Sequence, residues 1–163
     1  MGSRQLTPAV EVRPATAADA ALLLTWANDP ETRAASFHTE RIAHDEHEAW
    51  LTQTLTLPTR RLFIGMVGGE PIGQVRLDAN DAGHAEVGIS IAPERRGKGL
   101  GAALLAATVE ASRRDPGLAV ERFVARVRVG NEASIRLFEG AGFVLCETAT
   151  CEGAPCLIYE LPA

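Results

Sequence analysis

Residues 85–101 restrict this chain more than any other stretch. The alternating run Ala85-Glu-Val-Gly-Ile-Ser-Ile91 reads as a strand, with Val87, Ile89 and Ile91 on one face and Glu86, Gly88 and Ser90 on the other. Pro93 stops it, and a basic, glycine-rich turn follows through Arg95, Arg96, Gly97, Lys98 and Gly99. A small-residue helix then begins near Leu100, with Leu100, Ala103, Leu104, Ala107 and Ala111 as its inner stripe. The first N–H groups of such a helix have no partner within it and lie at the positive end of its dipole. A helix start of this kind suits an anion, phosphate above all. Gly97, Gly99 and Gly101 let the backbone come close to a ligand, and Arg95, Arg96 and Lys98 add charge at the same place. The stretch reads as a diphosphate cradle.

Three kinds of diphosphate compete for it. A P-loop requires Lys-Ser/Thr after its glycines, whereas Ala102-Ala103 follow Gly101. A dinucleotide loop tolerates the spacing Gly97-x-Gly99-x-x-Ala102, but it belongs after the first strand, with an acidic residue ending the next strand. Here the loop lies past mid-chain, and the next strand ends Arg126-Val-Arg-Val129. Coenzyme A is the third reading.

Composition narrows the classes. With 163 residues, one domain with a real core is expected, spanning residues 8–163 with residues 1–7 as a flexible N-terminus. The net charge of −5 argues against broad nucleic-acid binding and makes the basic cluster around Arg96 a local feature. No apolar run reaches the roughly 18 residues of a membrane span, and Met-Gly-Ser-Arg-Gln lacks the apolar core of a signal peptide, so a cytoplasmic protein is expected. The three cysteines, Cys146, Cys151 and Cys156, are odd in number, which in a reducing compartment argues against a disulfide frame. Their spacing is not that of a zinc site, so no metal is expected and they read as small strand residues.

Taken in order, residues 10–13 alternate as a short strand. Thr16-Ala-Ala-Asp19 is a capping-box variant opening a helix that carries Leu22, Leu23 and Trp26 and closes at Asp29-Pro30. A loop with Arg33, Ser36, Phe37 and His38 follows, then a second helix over about residues 43–55 with His47, Trp50, Leu51 and Thr54 at helical spacing. Strands over 62–67 and 71–77 flank a Gly68-Gly69-Glu70 hairpin turn, and Asn80 to Gly83 turn into the central strand. After the glycine loop and its helix come a β-branched strand over 120–129, a short helix capped by Asn131 and closed at Gly142, and a terminal hairpin around Glu152-Gly153. No repeat or linker divides this α+β pattern.

That order, together with Arg96-Gly-Lys-Gly-Leu-Gly101 and Asn131-x-x-Ser134-Ile-x-Leu-Phe138-x-x-x-Gly142-Phe143, resembles the GNAT superfamily of N-acetyltransferases over nearly the whole chain. The resemblance implies a mostly antiparallel mixed sheet flanked by helices, with a central strand pair that splays. Acetyl-CoA would be the cosubstrate, its pantetheine lying along the backbone of Ile89, Ser90 and Ile91. Arg96, Gly97, Lys98, Gly99, Leu100 and Gly101 would hold the pyrophosphate, and Asn131, Ser134 and Phe138 would line the cofactor. Many members carry a tyrosine where this chain has Phe138, and that phenol is thought to protonate the leaving sulfur, so the acid is left unassigned.

Thioester aminolysis needs a group to take the amine's proton. Glu86, on the polar side of the central strand, is the candidate base, with the Ile89 N–H as an oxyanion donor. His47 is a second candidate base or a substrate ligand, although a ring tucked beside Trp50 is equally in keeping with its position. Trp26-x-Asn28-Asp29-Pro30-Glu31-x-Arg33-x-x-Ser36-Phe37, followed by Glu46-His47-x-x-Trp50, resembles the branch that acetylates UDP-linked 4-amino sugars of the pseudaminic-acid pathway. That resemblance implies an amino-sugar nucleotide as acceptor, with Arg33 on a phosphate and His47 and Trp50 on sugar or base. Acetylation of protein N-termini and a non-catalytic acetyl-CoA-binding module are the rival readings. A homodimer is the assembly the superfamily allows.

Overall fold

Turn chemistry sets the sheet. Gly68 and Gly69, both at positive φ (57° and 81°), close a two-residue hairpin between β2 (Arg60–Val67) and β3 (Glu70–Ala79). Glu152 and Gly153 (φ 50° and 78°) do the same between β6 (Val144–Cys151) and β7 (Ala154–Pro162). Such turns match the twist of the strands they join. Between β3 and β4 (His84–Ile91), Asn80 Oδ1 accepts the N–H groups of Ala82 and His84 at 3.0 and 3.1 Å. The computed structural model describes residues 9–163; the flexible stretch expected over residues 1–7 lies outside them.

Seven strands run in the order β1-β2-β3-β4-β5-β7-β6, with β1 at Glu11–Pro14 and β5 at Arg122–Arg128. Every pairing is antiparallel except β4 with β5. Alternation sorts the sheet into two faces. Val75, Leu77, Ala85, Val87, Phe123, Ala125 and Val127 form one core with Leu104 and Leu105 of α4 (Leu100–Arg113) and Phe138 of α5 (Glu132–Gly140). Leu62 and Ile64 form the other with Leu23 and Trp26 of α1 (Ala20–Ala27) and Leu51 of α3 (His44–Thr56). Each fully buried Leu or Phe in these layers contributes roughly 1.5–3 kcal/mol of transfer free energy. On the polar stretch of this second face, β3 and β4 present Gln74, Arg76, Asp78, Glu86, Gly88 and Ser90.

Two expectations are corrected. Residues 30–35, read as loop, form a short helix, α2 (Pro30–Ala35), because Asp29, directly after the Asn28 C-cap of α1, caps the start of another helix. Its carboxylate accepts the Thr32 N–H at 3.1 Å, and Pro30 takes the first helical position, where no N–H is needed. The cysteines are not all simple strand residues, since Cys151 and Cys156 are joined by a disulfide. The hairpin register pairs Ala149 with Cys156 and Cys151 with Ala154, which puts both sulfurs diagonally on one face of the strand pair. Cys146 is free and exposed. Among the described residues, no helix is long and apolar enough to cross a membrane.

Candidate active site

The parallel pair β4 and β5 is joined only from His84↔Arg122 to Glu86↔Val124; beyond that the two strands part. Backbone direction along the opening follows from two bonds. Ala92 N–H donates to Ile72 O at 2.9 Å, so by alternation the even residues of β4 turn their main chain to β3. Ile89 and Ile91 therefore present N–H and C=O to the opening. Ser90 does not: its main chain faces β3, and its hydroxyl accepts from Gln74 Nε2 at 3.0 Å. On the far bank, Val129 N–H donates to Pro155 O at 3.2 Å, which turns the N–H groups of Arg126 and Arg128 to the opening. Unpaired main-chain groups along a cleft are costly to leave unmet, and an extended ligand carrying amides completes them as an added strand would.

The open end of this cleft leads to the glycine turn. Gly97 and Gly99 have φ of 75° and 73°, a region residues with a Cβ rarely adopt, and a Cβ built at either meets nothing within 4 Å. Gly99 is the N-cap of α4 and supplies no side-chain cap, so the first N–H groups of α4 are unspent. Gly101 is bare for another reason: a Cβ there would stand 2.4 Å from Leu137 Cδ1 of α5. Its missing side chain serves helix packing rather than ligand approach. The basic cluster is also partly engaged. Arg95 pairs with Glu70. Arg96 reaches Asp29 at 2.9 Å, Glu31 at 2.6 Å and Thr32 Oγ1 at 2.9 Å, tying the loop to α2. Lys98 is the cation of the three with no carboxylate partner among the described residues.

Beside the cleft, Asn131 Oδ1 caps α5 by accepting the Ser134 N–H at 3.3 Å. Phe138 is buried edge-on to Phe143, with centroids 5.1 Å apart, and offers no proton. Tyr159, a second hydroxyl in the core that holds Phe138, is buried and donates to Glu139 Oε1 at 3.0 Å. Burial and that carboxylate push its pKa up. Ser134 is left as the half-exposed hydroxyl on this side.

Glu86 stands where the splay begins. Arg126 Nε and Nη2 both donate to its Oε1, at 2.9 and 2.8 Å, and Oε2 has no partner among the described residues. Both side chains are more than a third exposed, so the ion pair is worth about 0–1 kcal/mol and holds the carboxylate without locking it. A shallow hollow of about 310 Å³ lies beside it, bordered by Asp78, Ala79, Asn80, His84, Glu86 and Val124.

Two of the residues expected to meet the acceptor are buried or bonded within their own surroundings. His47 is 4% exposed, its ring centroid 5.5 Å from that of Trp50. Burial, with some help from His44, pushes its imidazole pKa down. Arg33 is engaged with its own neighbourhood: Nε donates to Ala27 O at 2.6 Å, Nη1 to His38 O at 2.9 Å and Nη2 to Ser36 Oγ at 3.3 Å. Arg128 crosses from β5 to the end of α2, donating to Ala34 O and Ser36 O at 3.0 and 2.9 Å. Sequence reasoning passed over Arg76, Arg126 and Arg128. The available signal was Arg126-x-Arg128 at alternate positions of β5, with Arg76 on the polar side of β3.

A model of the acetyltransferase (GNAT) domain matches residues 10–144. Among solved structures, the aminoglycoside acetyltransferase AAC(6')-Ib in complex with ribostamycin and coenzyme A is 25% identical, with a TM-score of 0.83 over 94% of this chain and 93% of that one. Spermidine N-acetyltransferase from Vibrio cholerae, in complex with CoA and spermine, is 21% identical with a TM-score of 0.83 over 94% and 95% of the two chains. A domain from Methanocaldococcus jannaschii is 22% identical with a TM-score of 0.80 over 94% and 98%. These last two share the fold. No curated protein matches the chain in sequence.

Proposed function

The chain belongs to the GNAT acetyltransferase family and is an acetyl-CoA-dependent N-acetyltransferase; from that premise we propose that it acetylates the primary amine of a small molecule, in the finest reading an amino-sugar nucleotide. The observation that carries the cofactor half is the splayed strand pair, whose open main chain at Ile89 and Ile91 leads to the uncapped start of α4. Pantetheine amides would complete the open strand edge, and the N–H groups of the turn and of Leu100 and Gly101, with Lys98, would hold the pyrophosphate.

Direct transfer needs three things. The amine must shed a proton, the carbonyl oxygen needs a donor, and a thiolate must leave. Glu86, with Oε2 unengaged at the mouth of the splay, is the base in this reading, directly or through one water. The Ile89 N–H is the oxyanion donor. A thiol pKa of about 8.5 means that expelling bare thiolate at neutral pH forgoes only about 2 kcal/mol, so Phe138 in place of a phenol is tolerable. Ser134 is the hydroxyl near enough in the fold to assist.

The small-molecule acceptor is supported by the neighbours of known structure, which are described with aminoglycoside and polyamine ligands. The amino-sugar nucleotide rests on the resemblance of residues 26–50 alone. His47 and Arg33 lend it little, being buried and backbone-bound respectively. Release of free CoA should be followed with one panel of acceptors: a UDP-amino sugar, an aminoglycoside, spermidine and an alanine-starting peptide. Turnover with a small amine is expected. Activity confined to the peptide, or none with any acceptor while CoA binds, overturns the reading.

A further inference from the structure

Four charged groups stand around Arg76: Arg60, Asp78, Glu86 and Arg126. They pair off without it. Arg60 Nε lies 3.1 Å from Asp78, and Arg126 lies 2.8 Å from Glu86. Among the described residues Arg76 donates no hydrogen bond, and its Nε is buried with no partner. Register sets it between Leu62 of β2 and Gly88 of β4, one pair from Glu86 and one pair from the Gln74–Ser90 contact. Gly88 makes the room it occupies, since a Cβ there would stand 3.3 Å from Arg76 Nη2. A guanidinium stays charged, so a half-buried one whose Nε is bonded to nothing, beside carboxylates already paired with other arginines, is a standing cost to the fold. Its planar fork of donors matches a carboxylate or a phosphate bidentately.

Resting on the acetyltransferase reading of this same cleft, we propose that Arg76 anchors an anionic group, carboxylate or phosphate, carried by the acceptor amine. The acceptor class is then an anionic amine rather than a polycation. The unpaired cation and the candidate base share one face of β3 and β4, so a bound anion sets the amine beside Glu86. Arg76 thereby takes the part that Arg33, engaged with backbone carbonyls, does not.

The test uses the whole protein saturated with CoA, so that the glycine turn is already filled. Inorganic phosphate and, separately, acetate are titrated at constant ionic strength while the melting temperature is read. A saturable rise with phosphate, acetate or both is expected, and the more effective anion identifies the group. Arg76→Gln should weaken that response at least tenfold, with Arg76→Lys in between. Without anion, Arg76→Gln should melt no lower than wild type, because it removes a half-buried charge whose Nε has no partner. The kinetic arm compares matched amines, glucosamine 6-phosphate with glucosamine and glycine with glycinamide. The anionic-to-neutral ratio of kcat/KM should fall at least tenfold in Arg76→Gln. An anion response equal in both proteins, none in wild type, an unchanged ratio, or lower melting of both variants without anion overturns the proposal. Anion binding that depends on Arg76 with no amine acetylated leaves the anchor standing and refutes the transfer reading instead.

Discussion

Replacing Gly101 by alanine sets helix propensity against packing. Alanine is favoured over glycine in a helix by about 0.5–1 kcal/mol, so local preference alone makes Gly101→Ala stabilising. The structure reverses the sign. The new Cβ would lie 2.4 Å from Leu137 Cδ1 and 3.3 Å from its Cγ. Ordinary carbon contacts are about 3.5–4.0 Å, so Leu137 must retreat by roughly 1 Å or more, or α4 must lift from α5. Overpacking of this kind costs about 1–3 kcal/mol, which against the propensity gain leaves a net loss of about 0–2.5 kcal/mol, near 1 kcal/mol at mid-range. Leu137 is only partly buried, so Leu137→Ala alone should cost about 1–2 kcal/mol, less than a fully buried leucine. In the double variant the methyl group introduced at position 101 enters space that Leu137 vacated. That variant should therefore be more stable than the sum of the single losses by about 1–2 kcal/mol. Urea unfolding of the four proteins, with two-state behaviour checked by two probes, closes the cycle. Gly101→Ala more stable than wild type, or a coupling within about 0.5 kcal/mol of zero, refutes the packing argument. A loss of CoA affinity at unchanged stability would restore Gly101 to the role of letting a ligand approach.

Glu86→Gln should lower kcat well over tenfold while CoA affinity, read by calorimetry, changes little; near-normal turnover removes Glu86 from the chemistry. His47 gives a stability slope. Burial lowers its pKa in the fold, so below the unfolded value of about 6.5 the unfolded chain takes up a proton that the fold refuses. The stability contribution is fully present above about pH 6.5 and is lost as pH falls towards the depressed folded value. His47→Gln should flatten this part of the stability–pH curve, and an identical slope in both proteins would count against a buried neutral ring.

What could be read from residue order was whatever neighbours in the chain decide. The strand, glycine turn and helix of residues 85–101 were legible because alternation, positive-φ glycines and an uncapped helix start are all local. The Asn131 cap and the Gly68-Gly69 turn were legible for the same reason. Asp29-Pro30 was half legible: it was read as the end of α1, though the same pair supplies the cap and first residue of α2. Side chains whose partners lie far along the chain were not legible. Arg96 finds Asp29 and Glu31, and Gly101 is bare for Leu137; Cys156 is only five residues from Cys151, but hairpin register is what brings the two together.

The sequence by itself determined the family and the cofactor, and it singled out the stretch proposed to receive it, because a diphosphate is held by backbone geometry that glycines and a helix start dictate locally. Tertiary structure alone decided which charges are spent. Arg33 and Arg76 are the same residue type, yet among the described residues one is surrounded by carbonyls and the other is left out of every pair. Pairing depends on strand register and on which helix lies overhead, and neither is written in the order of residues around an arginine.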